Sequence, residues 1–201
     1  MSPLLSDELK SAGMPFVEQQ LSHPTVVALQ KGNLDQHIAQ EWLGQDYLFL
    51  LEARRFFARL IWQAPANHVD DLIAHLIEIS TSALVGQREL CELFGTDLSK
   101  VQLKSAGLGY TQWLFERATN YEEGLVAQWA GMWGYTTLGS MMNVPDNESL
   151  AAWVLSYRDE EFLKLVDRYE AMVNELDISR ERAVEVFIEG MHHEIAFWDP
   201  L

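Results

Sequence analysis

Cysteine and basic residues are scarce in this sequence of 201 residues, and each scarcity excludes a class of protein. A single cysteine, Cys91, leaves no internal disulfide and no cysteine-rich metal site. Lys and Arg number 14 against 30 Asp and Glu, which gives a formal net charge of −16. Because nucleic acids and anionic membranes are bound through clustered positive charge, we expect neither as a partner.

Long apolar runs are missing as well. No stretch approaches the roughly 18 consecutive apolar residues that cross a bilayer, and the first residues lack the basic and apolar regions of a secretory signal. We therefore expect a cytoplasmic protein. Hydrophobic residues make up 48% of the chain and aromatic residues 11%, too much for a disordered acidic chain. The length predicts one domain over residues 1–201.

Proline and glycine are sparse, and the stretches between them have apolar residues at helical spacing. No alternation of β-branched residues indicates a strand, so the predicted fold class is all-α. Asn67 is the predicted N-cap of the third helix and Gly95 its stop, followed by a loop over 95–109 with some helical turns. The predicted helical segments are 14–31 (one helix or a pair), 35–63, 67–94, 110–118, 122–142, 148–175 and 179–198.

Asp46 is a carboxylate on the apolar side of its predicted helix. Its neighbours three and four residues away are apolar or aromatic, and burying an ionised carboxylate is costly unless something pairs with it. One interpretation is structural, with Arg54, Arg55 or a histidine from another helix as the partner. The other is functional, with the carboxylate kept in an apolar pocket to bind a ligand amine.

Glu194 is a second exception, since its helical neighbours include Phe187, Met191, Phe197 and Trp198. Desolvation among aromatic rings raises the pKa of a carboxyl group, which suits a general acid or base near neutral pH. The alternative is a glutamate at a fraying helix end whose carboxylate reaches water.

Residues 128–135 interleave aromatic side chains with glycines, which leaves room for a planar ligand between flat rings. Tight helix packing against glycine is the structural alternative, and Tyr110 and Tyr157 taken singly have the ordinary explanation of core tyrosines. His68, Asp71 and His75 share one helix face, but no Glu-x-x-His pair completes a di-iron set of the kind that helical bundles use. We therefore predict no metal site and no cofactor.

The order of these motifs resembles the TenA/thiaminase II family over nearly the whole chain. The resemblance rests on Gln45-Asp46-Tyr47 in a long helix after His23-Pro24, on Tyr110-Thr111, on Trp133-x-Tyr135 and on the closing Glu194-Ile195-Ala196-Phe197-Trp198. It implies a haem-oxygenase-like helical fold without haem, a homo-oligomer and the binding of aminopyrimidines of thiamin salvage between aromatic rings.

The resemblance also implies roles for individual residues. Asp46 matches the carboxylate that holds the pyrimidine amine, and Glu194 matches the acid–base carboxylate. Phe49 stands where the family often has tyrosine. The remaining matches are pocket residues that contact the ring or supply a hydroxyl, namely Tyr110, Tyr135, Tyr157 and Phe197.

One departure from the family bears directly on the chemistry. The family's nucleophilic cysteine lies four residues before the tyrosine matched by Tyr135, and here that position is Gly131. Glycine cannot form a covalent intermediate, and Cys91 belongs to a different predicted helix. The leading hypothesis is hydrolysis of a C–N bond by a water that Glu194 activates. The alternatives are a non-catalytic binding protein and a metal-dependent oxidase of the same fold. A homodimer or homotetramer is expected.

Overall fold

Every regular element between residues 3 and 199, the part of the chain that the computed structural model describes, is helical. The all-α prediction is therefore confirmed. Residues 1–2 and 200–201 of the expected domain lie outside the described residues. The helices are α1 (Leu5–Leu21), α2 (Pro24–Gln30), α3 (Gln36–Gln63), α4 (Val69–Glu78), α5 (Leu84–Phe94), α6 (Ser105–Arg117), α7 (Tyr121–Met141), α8 (Glu148–Ser156), α9 (Glu160–Asn174) and α10 (Arg180–Phe197).

Polar side chains begin most of the later helices by accepting hydrogen bonds from backbone N–H groups of the first turn. The N-cap residues that do so include Asp35, Asn120, Asn147, Asp159 and Ser179. Gly95 ends α5 with a φ of 73°, in the left-handed region that glycine adopts without strain.

Four predicted boundaries are wrong. Helix α1 begins at Leu5 rather than residue 14, because buried apolar residues recur every four positions from there. Asn67 is not an N-cap, since α4 follows His68. Helix α6 begins at Ser105, inside the predicted loop. The predicted helix 148–175 is two helices, α8 and α9, and the break between them contains Tyr157.

A π-helical turn, Ile79–Ala83, joins α4 to α5. The residues of α4 and the turn that are buried, Leu72, His75 and Ile79, follow ordinary helical spacing. The next buried residue, Leu84, comes five positions later, and the wider π turn absorbs this extra residue. As a result one face of the whole segment 69–94 stays against α3.

Helix α7 is buried around most of its circumference and packs against α1, α6, α9 and α10. Its glycines allow close approach: a Cβ on Gly139 would lie 2.5 Å from Tyr157 Cβ. Helix α3 packs against α5 and α6, and α10 packs against α1, α6 and α7. This arrangement directs side chains of α3, α6, α7 and α10 toward one region. No helix among residues 3–199 is long and apolar enough to span a membrane.

Candidate functional site

Glu194 lies on the inner face of α10 and is only 2% exposed, so its carboxylate does not reach water from a frayed end. The Tyr110 hydroxyl, presented by α6, donates a hydrogen bond to Glu194 Oε1. The other carboxylate oxygen, Oε2, is buried and has no hydrogen-bond partner among the described residues. A buried carboxylate with one free oxygen is costly to maintain, and it leaves an acceptor for a ligand or a water.

Burial raises the pKa of Glu194 to about 7, because the ionised form loses its hydration. The hydroxyls of Tyr110 and Tyr135 partly offset this effect, while the negative charge of Asp46 adds to it. A carboxyl group with a pKa near neutrality is suited both to accept and to donate a proton at physiological pH.

Asp46 projects from α3 into the same region, and burial raises its pKa to about 7. Within residues 3–199 its carboxylate takes part in no ion pair or hydrogen bond. Arg54 and Arg55, the cations that the structural interpretation needs, are exposed and bond instead to the Leu51 carbonyl and to Glu52. The structure therefore leaves Asp46 without the structural partner expected from that interpretation.

The two residues beside Asp46 fix its position. Gln45 is buried, and its side chain donates to the Gln102 carbonyl at 3.0 Å and accepts from Lys104 N at 2.7 Å, which holds the segment before α6 against α3. The Tyr47 hydroxyl accepts from Arg88 of α5 at 2.8 Å. Hence Gln45 attaches the segment before α6 to α3, Tyr47 attaches α5, and Asp46 lies between them.

Aromatic rings surround the two carboxylates. Phe49 packs against Tyr110, with centroids 4.9 Å apart, and against Phe197 at 5.5 Å. Tyr135 stacks on Tyr157, with centroids 5.2 Å apart and planes inclined by 22°. The residues that the sequence analysis selected are thus brought together from α3, α6, α7, α10 and the end of α8.

The region between these side chains is called the recess below, because several of them are not fully covered by the protein. Asp46, Phe49, Tyr135 and Tyr157 each keep part of their surface uncovered. Burial raises the pKa of both tyrosines well above the ordinary value, so their hydroxyls stay protonated at neutral pH. The Tyr157 hydroxyl accepts a hydrogen bond from Trp153 Nε1 at 2.8 Å, which leaves its own proton available to a ligand.

The aromatic and glycine-rich stretch 128–135 divides between core and recess. Trp129 and Trp133 pack on Phe187, with centroids 5.5 and 5.6 Å apart, and are core residues. Gly131 and Tyr135, four residues apart, share the face toward Glu194. Tight helix packing therefore accounts for one face of this stretch, and the other face lies toward Glu194.

Cys91 does not supply a thiolate to the recess. It is fully buried in α5, and its thiol donates to the Leu43 carbonyl at 3.4 Å. Burial raises its pKa to about 12, and the charge of Asp46 adds to the effect, so the thiol stays protonated at neutral pH.

Several residues around the recess were missed by the sequence analysis. His193 lies parallel to the Tyr110 ring, with centroids 5.1 Å apart. Trp42 stacks on Trp198, with centroids 4.9 Å apart, and its buried Nε1 has no partner among the described residues. One further contact, between Trp153 and Tyr157, could have been predicted from the sequence, because residues four positions apart share a helix face.

The histidines considered for a metal site have other partners. His68 contacts Tyr121 and Glu175, and His75 contacts Tyr169. Across the described part of the chain, no group of three His, Cys, Asp or Glu side chains is arranged to hold a metal ion.

Comparison with known proteins places this geometry in a family. The profile of the TENA/THI-4/PQQC family matches residues 13–201, and the chain belongs to that family. Aminopyrimidine aminohydrolase of Helicobacter pylori is 23% identical over 198 residues, which cover 89% of each chain. Aminopyrimidine aminohydrolase of Halalkalibacterium halodurans is 22% identical over 206 residues, 95% of this chain and 92% of the relative.

A solved structure agrees with the fold. The TenA homologue protein from P. horikoshii OT3 superposes with a TM-score of 0.91 at 22% identity and covers 98% of this chain and 97% of its own. The predicted membership of the TenA family and the predicted haem-oxygenase-like helical fold are therefore confirmed.

Proposed function

We propose that this protein binds an aminopyrimidine, or a closely similar planar amine, and hydrolyses one of its C–N bonds in thiamin salvage without a cysteine. The observation that carries the proposal is the pair of deeply placed carboxylates, Asp46 and Glu194, in an aromatic recess. The names of the relatives from H. pylori and H. halodurans support the same substrate class.

The binding roles follow from the contacts. Asp46 accepts a hydrogen bond from the amine of the ligand, since no protein donor competes for its carboxylate among residues 3–199. The pyrimidine ring lies against Phe49, Phe197 and the stacked Tyr135, where flat aromatic faces favour a planar ligand. Tyr157 donates its free proton to a ligand acceptor.

The chemical step uses Glu194 as the acid–base group. Its carboxylate takes a proton from a water. The water oxygen attacks the carbon, outside the pyrimidine ring, that bears the leaving amino group. The C–N bond breaks, and the same carboxyl returns the proton to the departing nitrogen, so an alcohol and ammonia are formed. Positioned acid–base help of this kind accelerates a reaction by about 10²–10⁴-fold. Thiamin itself is a poor substrate in this proposal, because Gly131 and the protonated Cys91 supply no thiolate.

The test is an assay of the purified protein with thiamin and with amino-substituted pyrimidines. Ammonia release and mass spectrometry detect the products. We expect turnover of an aminopyrimidine and little cleavage of thiamin. Robust cleavage of thiamin that survives Glu194→Gln contradicts the proposed route. If no pyrimidine is consumed or raises the melting temperature, the salvage function itself is wrong.

A binding protein without catalysis is the second candidate, and the lack of a thiolate near Gly131 favours it. The same assay separates the two, because a pure binding protein shows ligand-induced stabilisation with no product at any pH.

We also propose a homodimer or homotetramer in the cytoplasm, with the dimer favoured. Large apolar side chains lie exposed on neighbouring helices, among them Trp62 at 84% exposure on α3 and Ile77 at 58% on α4. Light scattering at micromolar concentration checks the oligomeric state, and a monomer contradicts it.

A further inference from the structure

Tyr157 is the one residue of the proposed site that lies outside a helix. Helix α8 ends at Ser156 and α9 begins at Glu160, so Tyr157 belongs to the short junction between them. The other residues of the site are held by the backbone of α3, α6, α7 or α10. The position of the Tyr157 ring, stacked on Tyr135 with centroids 5.2 Å apart, therefore depends on contacts between the junction and other elements.

The end of α7 leaves two backbone carbonyl groups open to Arg158. In a continued helix the Gly139 carbonyl would accept from Asn143 N, but Asn143 N donates instead to Gln30 Oε1 at 3.0 Å. Arg158 Nε donates to the Gly139 carbonyl at 2.8 Å, and Nη2 donates to the Met142 carbonyl at 2.5 Å. One planar guanidinium thus joins the junction to the end of α7.

Gly139 makes a second contact with the junction. A Cβ atom built on Gly139 would lie 2.5 Å from Tyr157 Cβ and 3.4 Å from its Cγ. Tyr157 Cβ is bonded directly to the backbone, so rotation of the side chain cannot move it away, and a side chain at 139 requires the junction itself to shift. The bare backbone of Gly139 therefore admits Tyr157, while the carbonyl of the same residue binds Arg158.

The far end of the Tyr157 ring is held separately. Its hydroxyl accepts a hydrogen bond from Trp153 Nε1 at 2.8 Å, and Trp153 is fully packed in the core. Burial, and after it the charge of Asp46, raises the pKa of the Tyr157 hydroxyl. The hydroxyl therefore lies within the electrostatic influence of the carboxylate to which we assign the ligand amine.

We propose that Gly139 and Arg158 are positioning residues, which together hold Tyr157 against the end of α7 with its ring on Tyr135 and its hydroxyl toward the ligand. The inference rests on the function proposed for Tyr157, donation of a hydrogen bond to a ligand acceptor. Releasing the junction removes that hydrogen bond, which weakens substrate binding by about 3–10-fold. Because Tyr157 takes no part in the proposed proton transfer, KM rises while kcat stays within about 2-fold.

Arg158→Lys tests the proposal, and Arg54→Lys is the matched control. Lysine keeps the positive charge but lacks the planar group that reaches two carbonyls at once. Arg54 also donates to a backbone carbonyl, that of Leu51 in its own helix, at 3.2 Å. We expect Arg158→Lys to raise KM for the aminopyrimidine by about 3–10-fold and Arg54→Lys to change it by less than about 2-fold. Equal values of KM for the two variants overturn the proposal.

The same substitution in a Tyr157→Phe background shows whether Arg158 acts through the hydroxyl. Tyr157→Phe already lacks the hydrogen bond to the ligand. Arg158→Lys is therefore expected to change KM by less than about 2-fold in that background, so the two effects do not multiply. Full multiplication of the two effects overturns the proposal.

NMR of protein labelled with 13C in its tyrosine rings gives a readout that needs no substrate. The Tyr157 signal is assigned by its loss in Tyr157→Phe. We expect this signal to move in Arg158→Lys, because the ring shifts relative to Tyr135, and to stay in place in Arg54→Lys. An unchanged signal in Arg158→Lys overturns the inference. If no pyrimidine is bound, the proposed function fails while this signal still decides the role of Arg158.

Gly139→Ala tests the second half of the proposal and keeps it falsifiable if Arg158→Lys does not fold. Gly134→Ala is its control on the same helix, since a Cβ there would meet only the flexible end of Met191, at 3.4 Å. We expect the Tyr157 signal to move in Gly139→Ala and not in Gly134→Ala. An unchanged signal in Gly139→Ala overturns the proposal. Failure of both Arg158→Lys and Gly139→Ala to fold assigns the two residues to the fold itself and also overturns it.

Discussion

Two groups of buried polar side chains differ in whether the protein supplies their hydrogen-bond partners. On the α4 side, His68 lies 2.7 Å from the Tyr121 hydroxyl and 3.0 Å from the Glu175 carboxylate, and His75 lies 2.7 Å from the Tyr169 hydroxyl. In the recess, by contrast, Glu194 keeps one buried oxygen without a partner within residues 3–199. The first group is satisfied internally and the second is not.

The difference separates structural from functional burial. A buried polar group that finds its partner inside the protein adds to the stability of the fold, whereas one left without a partner reduces it. Asp46 and Glu194 both have a pKa raised by burial, which means that their ionised forms are destabilised where they lie. Unsatisfied carboxylates of this kind are what a site for a ligand amine requires.

The largest effect that we predict is the loss of catalysis in Glu194→Gln. The amide keeps the size of the side chain but cannot exchange a proton with the water or the departing nitrogen. We expect kcat/KM for the aminopyrimidine to fall by about 10²–10⁴-fold, measured by steady-state assay.

The melting temperature serves as the control for this variant. Because the ionised carboxylate is destabilised by burial, we expect Glu194→Gln to melt no lower than the original protein at pH 8. A loss of activity accompanied by a large loss of stability would assign Glu194 to the structural group instead.

The second prediction concerns Asp46→Asn and the pH dependence of stability. Burial holds the pKa of Asp46 at about 7 in the folded protein against an ordinary value of 3.8, so the folded state binds a proton more tightly than the unfolded state. Stability from this group is fully present below about pH 4 and is lost as the pH rises through 7. Asn is neutral throughout. We expect Asp46→Asn to match the original protein near pH 4 and to exceed it by about 2–4 kcal/mol at pH 8.

Thermal and urea unfolding at several pH values measure this difference. Ligand affinity, measured by calorimetry, should fall in the same variant because the carboxylate no longer accepts from the amine. If Asp46→Asn were less stable than the original protein at pH 8, a partner for the Asp46 carboxylate would have to exist.

The third prediction tests the satisfied group through Tyr169→Phe. Burial and the nearby Arg168 charge lower the pKa of His75 to about 3, so its ring is neutral and depends on Tyr169 for a hydrogen bond. Removing the hydroxyl leaves a buried ring nitrogen without this partner, at a cost of about 1–3 kcal/mol in the free energy of unfolding. Turnover should stay within about 2-fold of the original protein, and a selective loss of turnover would contradict the division into two groups.

How far the sequence predicts the recess depends on the range of the interactions. Asp46 and Glu194 were recognisable because the apolar neighbours that make them unusual lie three or four positions away on the same helix. Their meeting place, and the hydrogen bond between Tyr110 and Glu194, join residues that are far apart in the chain, so the order of the family motifs was the only signal for them.

The same limit explains the errors in the fold. The starts of α3, α8 and α10, capped by Asp35, Asn147 and Ser179, were predicted to within one residue, because a cap is a local hydrogen bond. The π turn between α4 and α5 could not be predicted from the sequence alone. The five-residue step from Ile79 to Leu84 indicates a wider turn only once both residues are known to be buried on the same side of the segment. The break near Tyr157 carries no proline or glycine, and its signal was the Asp159 cap within the predicted helix.

The smallest effect is predicted within the satisfied group itself, at Glu175. Its carboxylate contacts His68 at 3.0 Å, but the side chain is 60% exposed and water can replace the protein partner. Ion pairs of this exposure contribute less than about 1 kcal/mol, and salt screens them. We therefore expect Glu175→Gln to change the free energy of unfolding by under about 1 kcal/mol, with no change in turnover. Urea unfolding at low and high salt measures it, with Tyr169→Phe as the buried counterpart. A loss as large as that of Tyr169→Phe would mean that the hydrogen-bond partner, rather than burial, determines how much a polar group contributes to the free energy of unfolding.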